Sequence, residues 1–262
     1  SGMFHALAGR HLRADVAPTP TDPPPAPVLS DRADSLVSSP GRSWVPAAGR
    51  EDVPRIGVLA PLSGDPWERA IGSAMVEGAR MANEEAGEPF ELVVFDTGAE
   101  YVDFEGEQLR IQSEASRMLR VVAGTRFLVD QVDVVAIVGP VFSTSCAAAA
   151  GVVEGAGVPL IAPLAQQSGL DTLGAHIFQL SPIPEVQGRA LAEYATLVLG
   201  HERMAILSPL SDYGYAMEQA FTATATRNGG QIVHSDWYFS GATDFQAQFD
   251  SLLKSVLGQG ED

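Results

Sequence analysis

The amino-acid sequence predicts an α/β protein built on doubly wound parallel sheets. Three observations carry that expectation. Short runs such as "RIGVLAPL", "FELVVFDTG" and "VDVVAIVGP" are rich in Val, Ile and Leu without polar alternation, the pattern of strands buried on both faces. Stretches with apolar residues at helical spacing separate them, and helical crossovers between buried strands imply parallel pairing with right-handed connections. Each apolar run also ends in a turn loaded with Gly, Pro, Ser, Thr or Asp, at the carboxyl end where such sheets keep their ligand sites.

The elements follow in order. Residues 1–53 read as the end of a helix ("MFHALAGRHL") followed by a Pro-rich tether over about 14–53. The stretch "APTPTDPPPAP" favours extended polyproline geometry and has no means of packing a core. From Arg55 the pattern changes: "RIGVLAPL" is a strand and "SGDP" a turn. The next helix carries Ile71, Ala74, Met75, Gly78, Ala79 and Ala82 on one face and ends at Gly87. "FELVVFDTG" is the second strand. A helix over Glu107 to Gly124 is expected next, with Ile111, Ala115, Met118, Leu119 and Val122 inward. "VDVVAIVGP", "VPLIAPL" and "HIFQLSP" are further strands, with the helix "STSCAAAAGVVEGAG" between the first two.

The alternation continues with a helix from Pro184 to Gly200 burying Val186, Ala190, Leu191, Tyr194 and Leu197. The strand "RMAILSPL", a helix closed by Gly229 and Gly230, and the strand "IVHSDWYF" follow, with Trp237 read as core. A last helix has Thr243 as N-cap, Gln246 completing a capping box, and Phe245, Phe249, Leu252 and Val256 as its apolar stripe. The implied organisation is 1–53, 54–182 and 183–262.

Charge and composition narrow the function. The 262 residues carry a formal net charge of -17, which repels phosphate backbones and anionic membrane surfaces, so nucleic acid is excluded as a partner. No apolar run approaches the roughly 18–20 residues of a membrane-spanning helix. The start "SGMFHALAGRHLR" lacks the apolar core of a signal peptide, so an export signal or lipid anchor is expected upstream. Cys146 is the one cysteine; it reads as a small core residue, with a thiolate at a helix start as the reactive alternative. The histidines His5, His11, His176, His201 and His234 have no metal-ligand spacing. No cofactor motif is present: "PLSGDPWERAIG" lacks the GxGxxG spacing, and neither a P-loop nor a G-x-S-x-G elbow occurs. With no base placed for Ser143, an enzyme is not expected.

The binding signal sits in "GPVFSTSCAAAA", where a strand stops and a helix starts. Exposed N–H groups at a helix start, with the hydroxyls of Ser143, Thr144 and Ser145, make an anion site; a plain N-cap role for Ser143 is the alternative. Asp96 in "FDTG" suits either a ligand or metal, or an Asx turn.

The order of motifs resembles the type I periplasmic solute-binding fold, in its branched-chain amino-acid-binding branch. "RIGVLAPLSG", "GARMANEE", "VVAIVGPVFSTSCAAAA", "GVPLIAP", "FQLSP…QGRALAEYA", "SDYGYAMEQAF" and "YFSGATDFQAQFDSLLK" carry the resemblance over about Arg55 to Lys254. It implies two lobes closing on a solute, with no cofactor. Ser143 and Ser145 match hydroxyls that hold a ligand carboxylate. Ala165 and Gln166 match a turn where the family places Ala-Thr, a departure at the position that helps hold an ammonium group. Tyr213 matches an aromatic that covers the ligand from the second lobe, and Trp67 lies about two residues from a family aromatic.

The family also implies further segments after "LLKSVLGQGED". The chain is therefore expected to be a fragment of a longer one, its second lobe short of strands and open to self-association. Two functions fit. One is an extracytoplasmic solute-binding component of an ABC importer, with permease subunits as partners. The other is a tethered envelope module resembling the penicillin-binding-protein activators, whose partner would be a cell-wall synthase.

Overall fold

A computed structural model describes residues 35–37, 52–99, 101–104, 107–110, 113–239 and 241–257. The helix end read at the N-terminus, and the segment read as tether apart from 35–37 and 52–53, lie outside the described residues.

The first sheet consists of β1 (Ser35–Val37), β2 (Arg55–Ala60), β3 (Glu91–Asp96), β6 (Ala136–Val138), β7 (Leu160–Ala162) and β8 (Ile177–Gln179). Their order is β1-β3-β2-β6-β7-β8, and every neighbouring pair is parallel. Val58 pairs with Val94 on one side and Val138 on the other. Strand β1 corrects the tether reading for its residues. The outer edge of β3 leaves Val93–Phe95 with backbone groups to satisfy, and Ser35–Val37 pairs with them.

Alternate residues of β2 and β3 feed opposite faces, as the period of two requires. Val58, Ala60 and Val94 pack with Val76 of α1 (Pro66–Glu85). Leu59, Val93 and Phe95 pack on the other face with Val121, Phe127, Leu128 and Val153. Those partners come from α2 (Glu114–Arg126), the π-helical turn Phe127–Val132 that prolongs it, and α3 (Ser143–Ala156). Each large apolar side chain removed from water in this way contributes about 2 kcal/mol.

Several expected faces and boundaries differ. Residues 107–110 belong to a hairpin, β4 (Tyr101–Phe104) antiparallel to β5 (Glu107–Arg110), rather than to a helix. Helix α2 starts after Ser113, whose hydroxyl accepts from Ser116 N–H at 3.3 Å while Ser116 Oγ accepts from Ser113 N–H at 3.0 Å. This capping box fixes the start and turns Arg120, Val121 and Thr125 inward, with Leu119 outward. In α1 the buried residues are Gly72, Ser73 and Val76, while Ala74, Gly78 and Ala82 are exposed. The start of α1 is set by Asp65, which accepts from the N–H groups of Trp67 and Glu68.

The second sheet is smaller: β9 (Arg203–Pro209) parallel to β10 (Gln231–Tyr238). Helix α4 (Pro184–Glu193) packs on α5 (Asp212–Arg227), and α6 (Gln246–Leu257) packs on β10. The inward face expected for α4 is reversed. Ala192 is 0% exposed, whereas Leu197, on the turn prolonging the helix, is 68% exposed, and Val186, Ala190, Leu191 and Tyr194 are exposed with it. The close approach to α5 selects small residues for the contact: a Cβ on Gly188 would collide with the Met217 carbonyl. Trp237 is also exposed rather than core, its indole N–H donating to Glu218 at 2.6 Å. At the start of α6 the cap acceptor is Asp244, bonded to Gln246 N–H at 2.9 Å, rather than Thr243, and Phe249 is half exposed. No helix among the described residues is long and apolar enough to cross a membrane.

Candidate functional site

Helices α3, α4 and α5 all begin at one cleft. Its volume is about 600 Å³, and its walls come from both sheet units. Phe142 and Ser143 line it at the start of α3, Pro184 and Glu185 at the start of α4, and Asp212 and Tyr213 at the start of α5. Leu164 to Ser168, the turn after β7, form the remaining wall. Three helix starts aimed at one space bring three positive dipole ends together there.

Ser143 holds the turn in place. Its hydroxyl oxygen accepts from Gln166 N–H at 3.3 Å and from Gln167 N–H at 3.2 Å, leaving its own O–H to donate. It is not the cap of α3: Phe142 occupies that position and makes no side-chain cap bond. The same turn is tied from β8, where Gln179 Nε2 donates to the Ala165 carbonyl at 2.8 Å and to the Gln167 carbonyl at 3.2 Å. Ser181 Oγ donates to the Pro163 carbonyl at 2.7 Å. Ser168 then reaches across to the second unit, donating to the Glu185 carboxylate at 2.7 Å. Tyr213 stands on the opposite wall with its hydroxyl donating to Gln187 Oε1 at 2.9 Å.

The structure therefore brings Ser143, Ala165, Gln166 and Tyr213 to one space and separates the other expected residues from it. Ala165 is buried and contributes backbone. Thr144 is exposed and lines neither this cleft nor its neighbour. Trp67 is exposed and lies outside both, with its ring 6.3 Å from that of Phe142. Ser145 faces a second cavity of about 410 Å³ on the other side of Phe142. Sequence reasoning missed Phe142, Glu185 and Asp212. Asp212 and Glu185 each follow a strand or turn at a helix start, a signal that was available; Phe142 lay inside the motif that was read for its hydroxyls.

Asp96 is occupied structurally. Its Oδ1 accepts from the N–H groups of Leu62 and Gly98, both at 2.8 Å, and its Oδ2 accepts from Ser63 Oγ. These bonds clamp the β2 and β3 turns together, and only glycine fits at position 98, where a Cβ would meet the Ser63 carbonyl. Arg120, fully buried beneath them, donates from Nε to the Asp96 carbonyl at 2.7 Å and lies 5.0 Å from the Phe95 ring centre. Burial lowers its pKa to about 10, and the Asp96 charge opposes that shift. Cys146 is buried, its thiol donating to the Pro140 carbonyl at 3.2 Å, and burial pushes its pKa up to about 12.

A profile of the family described as "Periplasmic binding protein" matches residues 114–256. Leu/Ile/Val-binding protein homolog 3 of Brucella melitensis is 27% identical over 202 residues, covering 75% of this chain and 50% of its own length. Among solved structures, the leucine-binding protein of Thermotoga maritima is 26% identical with a TM-score of 0.54, covering 78% of this chain and 54% of that one. The substrate-binding protein of a branched-chain amino acid transporter from Streptococcus pneumoniae, solved with isoleucine, is 28% identical with a TM-score of 0.56. It covers 80% of this chain and 55% of its own. The chain thus spans about half the length of the relatives it matches.

Proposed function

This chain belongs to the periplasmic binding protein family, and we propose that it is the solute-binding part of an extracytoplasmic component of an ABC importer. Its solute is a small polar molecule with a carboxylate, held between the two sheet units. The observation that carries the reading is the meeting of three helix starts with the Ser143 hydroxyl at a cleft walled by both units.

The chemistry follows from the walls. The first N–H groups of α3 and the Ser143 O–H are donors fixed in place before any ligand arrives, which suits a carboxylate. Among the described residues no Lys, Arg or His lines this cleft, while Glu185 and Asp212 stand on the opposite wall. An amino acid would place its ammonium group toward those carboxylates. Tyr213 covers the ligand from the second unit. The relatives matched are substrate-binding proteins, which supports binding without turnover and favours this reading over a cell-wall regulatory module.

Calorimetric titration with leucine, isoleucine and small carboxylic acids tests the proposal. Ser143→Ala is expected to weaken the ligand that binds by about 1.5–3 kcal/mol, one charge-assisted hydrogen bond, with the fold intact by circular dichroism. A ligand bound equally well by wild type and variant removes Ser143 from the site, and no binding by any of these solutes removes the function.

A further inference from the structure

We infer that the solute is two-ended, and that its second end is a carboxylate received by Arg117 in the cavity beyond Phe142. The inference rests on the solute-binding reading and extends it to the class of solute.

The second cavity occupies a privileged place in the sheet. Strands β2 and β6 are neighbours, yet the chain leaves β2 toward β3 on one side and leaves β6 toward β7 on the other. The carboxyl ends of two such strands part to form a crevice, the usual ligand position of an open parallel sheet. Pro61, Ser63 and Gly64 after β2 line this cavity, together with Phe142 and Ser145 after β6. Phe142 lines both spaces, and Ser143 and Ser145 line one each from opposite sides of the α3 start. A ligand seated at Ser143 and long enough to pass the Phe142 ring therefore enters the crevice.

The crevice is built to receive an anion. Arg117 is the one cationic side chain lining either space among the described residues. Its Nη1 donates to Glu68 Oε1 at 3.0 Å, and a guanidinium has five N–H donors in all. Among the described residues two carboxylates line the cavity, and both are engaged. Glu68 is paired with Arg117, and Asp65 accepts from the first N–H groups of α1. The start of α3 borders the cavity and favours negative charge, whereas the start of α1 is already capped by Asp65. The floor is fixed in advance, because Asp96 locks the two turns that form it, so little ordering opposes binding. Thr97 and Ser145 add hydroxyls to the walls.

The test titrates the chain with norleucine, 2-aminoadipate, 2-aminopimelate and lysine, which share an amino-acid head and differ in the far end. Wild type is expected to bind one of the two diacids at least about tenfold tighter than norleucine. Arg117→Met should erase that preference while leaving norleucine affinity unchanged. Glu68→Gln, which frees the guanidinium, should widen it. Melting curves of each variant verify that the fold persists. Norleucine or lysine binding as tightly as the tighter-binding diacid overturns the inference, as does an Arg117→Met variant that weakens all four probes alike. If the diacids fail but leucine or isoleucine binds in a Ser143-dependent way, the two-ended solute is lost and the solute-binding function stands. If no amino acid or carboxylic acid binds at all, the function falls with it.

Discussion

Glu154, near the end of α3, shows how a single side chain joins distant parts of the first unit. Its carboxylate accepts from His176 N–H at 3.1 Å and Ala175 N–H at 3.2 Å, and lies 3.1 Å from His176 Nδ1. The His176 backbone bond leads the effects that lower its pKa below the usual 4.5. The ionised form is thus favoured by folding. The stabilisation is complete above the ordinary value and fades as pH falls through the lower folded one. Glu154→Ala should lower the urea midpoint at neutral pH, and the gap from wild type should close in acid. A gap that is constant or widens in acid would refute the assignment. Cys146 is the opposite case. With its pKa raised to about 12 by burial, the thiol should resist a disulfide reagent at mildly alkaline pH until urea unfolds the chain. Labelling within the mixing time of the native protein would contradict this.

At the scale of elements, order and type were legible while facing was not. The apolar runs marked β2, β3 and β6 to β10, because strands of parallel sheets carry a largely uninterrupted apolar pattern. The hairpin β4–β5 escaped notice because residues 107–110 continued a helical period into α2, and the true boundary depended on a local capping pair at Ser113 and Ser116. The site followed the same division. Ser143, Ala165, Gln166 and Tyr213, all read from strand-end turns, lie at one cleft, whereas which side of α3 each hydroxyl faced required coordinates. Helix α4 failed for a different reason: its large apolar residues suggested the core face, but contact with α5 admits only small ones such as Gly188 and Ala192. This makes a paired prediction. Gly188→Val should destabilise by about 1–3 kcal/mol through overpacking, while Leu197→Ser should change stability by no more than about 0.5 kcal/mol. Urea midpoints decide, and the reverse order would restore the expected face.

At the scale of the whole molecule, the two units have unequal means of holding themselves together. The first buries all of β3 and Gly57 to Ala60 of β2 on both faces, with Val58, Leu59, Val93 and Phe95 all at 0% exposure. The second has two strands among the described residues, and every strand residue except Ser208 is partly or fully exposed. Its polar bonds compensate locally. Glu218 accepts from Ser208 Oγ at 2.9 Å, from Ser235 Oγ and from the Trp237 indole, tying α5 to both strands. His234 contacts Ser255 Oγ at 2.9 Å, tying β10 to α6. Such bonds are each worth about 1 kcal/mol net, less than the burial of one large apolar side chain in the first unit. Two strands also fall short of the three or more that a sheet needs for independent stability. Opening should therefore be uneven. In native-state hydrogen exchange, the amides of β9 and β10 should exchange well before those of β2, β3 and β6. A saturating cleft ligand, which touches both units, should slow β9 and β10 more than it slows β3. Equal protection of the two sheets in the free protein would show that the second unit is held by something other than the bonds and burial described above.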